Sequence, residues 1–104
     1  MDQKQVIKLL NLFTDKIIKF YKVEKVVLFG SYAKGYSSEN SDIDVAVFVN
    51  QLDDDFLTAE SKLFRIRREI NNRIEPILIT QEPDYSGFKE EILKTGKTIY
   101  SRSY

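Results

Sequence analysis

The 104-residue sequence predicts an α+β (mixed α/β) fold in which a small mixed β-sheet packs against helices. Segments whose apolar residues recur every three or four positions, as in an amphipathic helix, take turns with short apolar or alternating segments typical of strands. Apolar residues make up 42% of the chain, enough for one hydrophobic core at this length. We therefore expect a single domain over residues 1–104, with the element order α-β-α-β-α-β-α and a final extended piece.

The first helix is predicted from apolar residues at helical spacing between Val6 and Tyr21, with Phe20 on the apolar face. The run KVVLF, residues 25–29, is rich in β-branched residues and predicts a strand covered on both faces. It stops at Gly30, after which a short helix opens at Ser31.

The second strand, residues 41–49, alternates in polarity, so that Asp42 and Asp44 project to one side and four apolar residues to the other (Ile43, Val45, Val47, Val49). A helix follows, capped by one of the residues Asp53 to Asp55 and ending near Asn71 and Asn72. Its predicted core stripe is Phe56, Ala59, Leu63, Ile66 and Ile70.

The last third predicts a strand, a helix and an extended end. Residues 73–80 have strand composition, and Pro76 places that strand at an edge, a bulge or a strand start because proline lacks an amide donor. A short helix is expected over residues 85–95, closed by Gly96, with an extended piece at 97–100.

The composition limits the chemistry. The sequence has neither cysteine nor histidine, so a thiolate metal site, a thiol nucleophile and an imidazole base are excluded. Sixteen basic residues balance sixteen acidic ones, so that no overall positive field favours direct nucleic-acid binding. The polar start MDQKQ and the lack of a long apolar run predict a cytoplasmic protein without a membrane span.

Two local patterns could carry a function. Gly30 and Ser31 after a strand can present backbone amides and a hydroxyl to a phosphate, although such a pair is more often only a turn. Asp42 and Asp44 on one strand face can share hard divalent cations, or they can be a capping element and a residue facing water. Aspartate is disfavoured inside a strand, so Asp44 needs a compensating reason.

Taken together, Gly30 and Ser31, ten intervening residues, and then Asp42 and Asp44 resemble the signature of the minimal nucleotidyltransferases, in the DNA polymerase β-like nucleotidyltransferase superfamily. The resemblance implies the fold of that superfamily and transfer of a nucleoside monophosphate, such as AMP from ATP, to a hydroxyl. It also implies two Mg²⁺ ions bridged by Asp42 and Asp44, with Gly30 and Ser31 on the β- and γ-phosphates. Magnesium reduces the need for a histidine base.

Such sites use a third carboxylate on a neighbouring strand, and Glu75 is the best candidate, with an edge glutamate facing water as the alternative. Glu82 and Asp84 are poorer candidates because they lie in a predicted turn. Lys34 occupies a position that is often basic in the family, and it either neutralises triphosphate charge or is an exposed loop lysine.

The remaining candidates are less specific. Tyr32 and Tyr36 could stack on a base or cover the loop. Arg65, Arg67 and Arg68 are expected on a solvated helix face, with a protein contact as the minor alternative.

The expected domain has no room for a separate acceptor-binding region, so the acceptor should be recognised by a partner or be the partner, in a possible hetero-oligomer. In this respect the chain resembles the antitoxins paired with HEPN-domain toxins, for which the implied activity is adenylylation of a toxin tyrosine. The alternatives are a non-catalytic nucleotide- or partner-binding antitoxin and an enzyme that modifies a small molecule such as an antibiotic.

Overall fold

The computed structural model describes residues 1–38 and 40–102 and confirms the α+β fold. Its elements follow the predicted order. They are α1 (Gln3–Ile17), β1 (Val23–Phe29), α2 (Ser31–Lys34), β2 (Ile43–Val49), α3 (Phe56–Arg67), β3 (Ile74–Ile79), α4 (Phe88–Thr95) and β4 (Lys97–Ser101). Among the described residues, no helix combines the length and the apolar character that a membrane crossing requires.

The four strands form one sheet in the order β3-β2-β1-β4. Strand β1 pairs antiparallel with both β2 and β4, whereas β2 and β3 are parallel and joined through α3. Strand β3 lies at an edge, which explains how the sheet tolerates Pro76, because an edge strand has one side without ladder hydrogen bonds.

One face of the sheet carries the main hydrophobic core. The alternating apolar residues of β2 point to this face, and α1 and α3 cover it. Its fully buried side chains include Phe13 of α1, Leu63 of α3 and Val45 of β2. The opposite face has a smaller core, in which Ile92 of α4 packs on Val27 and Ala46.

Side-chain caps fix the start of the two longer helices. The carboxylate of Asp2 accepts a hydrogen bond from the Gln5 backbone amide, and the Gln5 side chain accepts one from the Asp2 amide. Asp55, one of the three aspartates predicted to cap α3, accepts a hydrogen bond of 2.8 Å from the Thr58 amide. The capping prediction is therefore confirmed for Asp55.

Two predicted core positions are wrong, both at helix ends. Helix α1 stops at Ile17, and Phe20, in the turn that follows, is 53% exposed with the Lys62 ammonium 4.5 Å from its ring centre. Phe56 is the first residue of α3 and is 41% exposed. A terminal turn extends beyond the sheet, so helical spacing there no longer implies burial.

Candidate active site

The turn after β1 brings the backbone close to a carboxylate of the next strand. Gly30 has φ 74° and ψ −150°, a backbone conformation found almost only in glycine. A Cβ atom at this position would collide with Asp44 Oδ2. The glycine is therefore required both by the turn and by the approach of the Asp44 carboxylate. The structure thus brings together two of the positions that the sequence singled out.

Helix α2 begins directly after Gly30 and holds the turn. The Lys34 amide donates to the Gly30 carbonyl at 3.1 Å, and the Gly35 amide donates to the Ser31 carbonyl at 2.9 Å. Ser31 is partly exposed, and Lys34 is exposed one helical turn later. Both side chains therefore lie on the accessible side of the loop that begins beside Asp44.

The strand register places two acidic residues in one row across the sheet. Phe29 of β1 is paired with Asp44 of β2, and Asp44 is paired with Glu75 of β3. Neighbouring strands are separated by about 4.8 Å, and paired residues project to the same face. Asp42 lies one residue before β2, two positions from Asp44. Three carboxylates, two from the start of β2 and one from β3, are therefore grouped at one end of the sheet.

The neighbouring charges affect the titration of Asp44. Burial raises the pKa of the Asp44 carboxyl above its usual value of 3.8, and the negative charges of Asp42 and Glu75 raise it further. Carboxylates that repel one another in this way are suited to a hard divalent cation, whose ligands are oxygen atoms. The donor set therefore fits Mg²⁺, although no three acidic side chains within residues 1–38 and 40–102 already surround a single point.

The Glu75 carboxylate is turned toward an arginine. Arg67 Nη1 lies 3.2 Å from Glu75 Oε1 and also donates to the carbonyls of Asn72 and Ile74. Arg67 was predicted on a solvated helix face, and this is wrong, since only 19% of its side chain is exposed. Arg67 follows Leu63 by four positions, a spacing that could have placed it at the edge of the core stripe.

The two loop tyrosines differ. Tyr32 is 1% exposed and packs in the main core, with its hydroxyl 3.4 Å from the Ser38 carbonyl. It therefore covers the loop, and it has no free face on which a base could stack. Tyr36 is 68% exposed and remains accessible beside α2.

The loop that leads to Asp42 is tied at both ends. The Ser38 amide donates to Ser41 Oγ at 2.8 Å, and the Ser41 amide donates to the Ser38 carbonyl. Arg73, just before β3, donates through Nη2 to the Ser41 carbonyl at 2.9 Å.

Asp84 is bound within the turn before α4, where its carboxylate accepts from the amides of Ser86 and Lys89. The expectation that Asp84 belongs to a turn is therefore confirmed.

A glycine turn packed against strand carboxylates is an arrangement suited to phosphoryl or nucleotidyl transfer. Sequence comparison identifies the class more closely, since the family described as "Polymerase beta, Nucleotidyltransferase" matches residues 11–104. This chain belongs to that nucleotidyltransferase family. A protein of Methanocaldococcus jannaschii named "Putative protein adenylyltransferase" is 30% identical over 81 residues, which cover 76% of this chain and 80% of that protein.

Solved structures show the same fold. The crystal structure of "a putative nucleotidyltransferase from Sulfolobus solfataricus" is 21% identical, has a TM-score of 0.71 and covers 96% of this chain and 84% of its own. A tri-AMPylated HEPN toxin of Shewanella oneidensis in complex with MNT antitoxin matches with 22% identity and a TM-score of 0.54, over 88% of this chain and 72% of that chain. At these identities the likeness establishes the fold.

Proposed function

We propose that this chain is a Mg²⁺-dependent protein adenylyltransferase that moves AMP from ATP to a tyrosine hydroxyl of a HEPN-domain toxin and thereby acts as the antitoxin. The observation that carries the proposal is the contact between the Gly30 backbone and the Asp44 carboxylate, in the same row as Glu75. This close approach supports the proposal, because nucleotidyl transfer requires a turn that binds phosphate beside carboxylates that bind the cations.

In this proposal Gly30 and Ser31 bind the β- and γ-phosphates, and Lys34 offsets part of their charge. Asp42, Asp44 and Glu75 would hold two Mg²⁺ ions, which would supply charge stabilisation at the reacting oxygens and lower the pKa of the acceptor hydroxyl. The hydroxyl oxygen bonds to the α-phosphorus while the bond to pyrophosphate breaks, and the hydroxyl proton passes to water.

The choice of acceptor is supported by two relatives. One is named as an adenylyltransferase of protein, and a structural neighbour is an antitoxin bound to an AMPylated HEPN toxin. We propose that residues 1–104 act as one domain in the cytoplasm and that the toxin supplies its own recognition surface within a hetero-oligomer. Direct nucleic-acid binding is not part of the proposal, since the sixteen basic and sixteen acidic residues balance.

The test is transfer of label from α-labelled ATP to the protein encoded by the neighbouring gene, in the presence of Mg²⁺. The unmodified chain should label a tyrosine of the partner, and the double variant Asp42→Asn/Asp44→Asn should lower the rate by at least about 100-fold because the cation ligands are lost. Asp53→Asn, an exposed aspartate outside the carboxylate row, is the matched control and should retain the activity. Label that persists in the double variant would falsify the assignment.

A second candidate is a non-catalytic antitoxin that binds nucleotide and covers its partner. The ion pair between Arg67 and Glu75 favours it, because a third carboxylate held permanently by arginine would leave the cation badly positioned. Thermal unfolding and the labelling assay together separate the two: Mg²⁺ with ATP should raise the Tm in either case by mass action, but only the enzyme should label the partner. A raised Tm together with no label on the partner would favour the non-catalytic protein.

A further inference from the structure

Arg67 is fixed to the backbone at the junction of α3 and β3. Its Nη1 atom donates to the Ile74 carbonyl at 2.8 Å and to the Asn72 carbonyl at 2.9 Å, and its guanidinium carbon lies 4.8 Å from the ring centre of Phe64. These contacts hold the guanidinium without any help from Glu75. The position of the arginine is therefore set by the fold.

The contact with Glu75 is the longest of the three made by Nη1. One guanidinium nitrogen of this type carries two hydrogens, yet three oxygens surround Nη1, at 2.8, 2.9 and 3.2 Å. The two carbonyls are the nearer acceptors, so the carboxylate shares hydrogens that are already used. Glu75 can therefore turn away from Arg67 while the guanidinium keeps its two backbone hydrogen bonds.

The charges around Glu75 indicate which group could replace Arg67 as the partner of its carboxylate. The side chain of Glu75 is 41% exposed, and its neighbour in the row is Asp44, with Asp42 close by. Among the described residues, the only positive charge that contacts Glu75 is Arg67. A divalent cation bound by Asp42 and Asp44 would carry twice the charge of the guanidinium, and it would compete for the same carboxylate.

We propose that Arg67 is a positioning residue that holds Glu75 in a resting orientation and competes with a divalent cation for its carboxylate. The inference rests on the proposed function, because it takes Glu75 as the third cation ligand. Arg67 then has two effects: it reduces repulsion among the carboxylates before the cation binds, and it weakens cation binding by the free energy needed to break the Arg67–Glu75 contact. Nothing in the family match assigns either effect to Arg67.

The experiment measures the affinity for Mg²⁺ together with α,β-methylene-ATP, which cannot release pyrophosphate, by titration calorimetry. Arg67→Met removes the charge at similar side-chain length and should tighten binding about two- to fivefold, the range expected for a partly exposed ion pair. Arg68→Met makes the same change in net charge at the neighbouring exposed position and should tighten binding less than about 1.5-fold.

The dependence on Glu75 distinguishes competition from a purely structural role. In a Glu75→Gln background, Arg67→Met should no longer tighten binding, because the amide is not a carboxylate for which a cation competes. In the transfer reaction Arg67→Met should lower kcat, since Glu75 loses its fixed starting orientation, while the KM for Mg²⁺ and ATP falls.

The outcomes separate the inference from the proposed function. Equal affinities of Arg67→Met and Arg68→Met, or tightening that persists with Glu75→Gln, would overturn the role of Arg67 and leave the enzyme assignment standing. Failure of the unmodified chain to bind the probe would instead overturn the proposed function and the inference together. Where Arg67→Met does not fold, nitrogen NMR of the unmodified chain decides: the Arg67 guanidinium signal should shift on adding the probe, and an unchanged signal refutes the competition.

Discussion

The two faces of the sheet differ in how completely they are covered. On one face α1 and α3 close over a continuous apolar core, in which Phe13 and Leu63 have no exposure to solvent. On the other face α4 covers only the row around Ala46 and leaves Asp44 and Glu75 beyond the end of its small core. Stability is thus concentrated on the covered face and the acidic row lies on the open one. Substitutions should therefore affect stability and activity separately.

The largest expected effect is on the covered face. Phe13→Ala should lower the free energy of unfolding by about 3–5 kcal/mol, because it removes a fully buried ring and leaves a cavity. Leu12→Ala, on the same helix but at a position 52% exposed, should cost less than about 1 kcal/mol. Urea unfolding monitored by circular dichroism measures both. Equal losses would show that α1 is not held by its buried face.

An intermediate effect is expected where the open face begins. Gly30→Ala should cost about 3 kcal/mol, since alanine is strained at φ 74° and ψ −150° and its Cβ collides with Asp44. Gly35→Ala is the matched control: its φ is also positive, at 83°, but a Cβ there meets open space, so about 1 kcal/mol is expected.

The predicted collision between a Cβ atom at position 30 and Asp44 can be tested by adding a substitution of Asp44 to Gly30→Ala and to its control, Gly35→Ala. Adding Asp44→Ala to Gly30→Ala should recover part of the lost stability, because the carboxylate that meets the new Cβ is gone. The same addition to Gly35→Ala should bring no such coupling. If the two double-mutant cycles in urea unfolding give the same coupling energy, the close approach of Gly30 to Asp44 is refuted.

The smallest effect is a dependence of stability on pH. The folded protein binds the Asp44 proton more tightly than the unfolded chain does, because the folded pKa is raised by burial and by Asp42 and Glu75. Relative to Asp44→Asn, the unmodified protein should therefore be most stable below about pH 3.8 and should lose that advantage as the pH rises through the raised pKa. Urea midpoints in EDTA between pH 3 and pH 7, about the range of carboxyl titration, measure this.

The contribution of Asp55 to stability should change with pH in the opposite direction to that of Asp44. Hydrogen bonds from Thr58 lower the pKa of its carboxyl in the folded protein. Its contribution relative to Asp55→Asn should therefore be present above pH 3.8 and be lost as the pH falls through the lowered pKa. Two difference curves of the same sign would contradict the assignment of Asp44 to a crowded acidic site.

The sequence predicted the helices and strands and the part of the candidate site that depends on patterns among neighbouring residues. Period-two alternation around Asp44 and helical spacing around Leu63 are set by neighbours a few residues away, so both are visible in a single sequence. The glycine turn at Gly30 was visible for the same reason. The place of Glu75 beside Asp44 was expected only from the family resemblance, because local patterns do not give the register in which β3 docks beside β2 after the α3 crossover.

Arg67 illustrates what sequence patterns miss. Its side chain reaches past the end of α3 to the carbonyls of Asn72 and Ile74, and this contact depends on the shape of the turn between helix and strand. A basic residue on a charged helix face is predicted to be solvated, and the spacing of four from Leu63 places Arg67 near the core stripe without indicating which groups it contacts. Tertiary packing decided which of the two became part of the site.

From the parallel pairing of β2 with β3 we also expect an order in which the parts of the candidate site form during folding. Strands β1 and β2 can meet by closing the short loop between Phe29 and Ile43, whereas Glu75 reaches Asp44 only after the whole segment from Asn50 to Arg73 has looped back. Closing the longer loop costs more entropy and slows contact formation. We expect the chain to form the Gly30 turn first and to bring Glu75 beside Asp44 last among the residues of the candidate site. Protection of backbone amides from hydrogen exchange by bound nucleotide should therefore appear late in refolding.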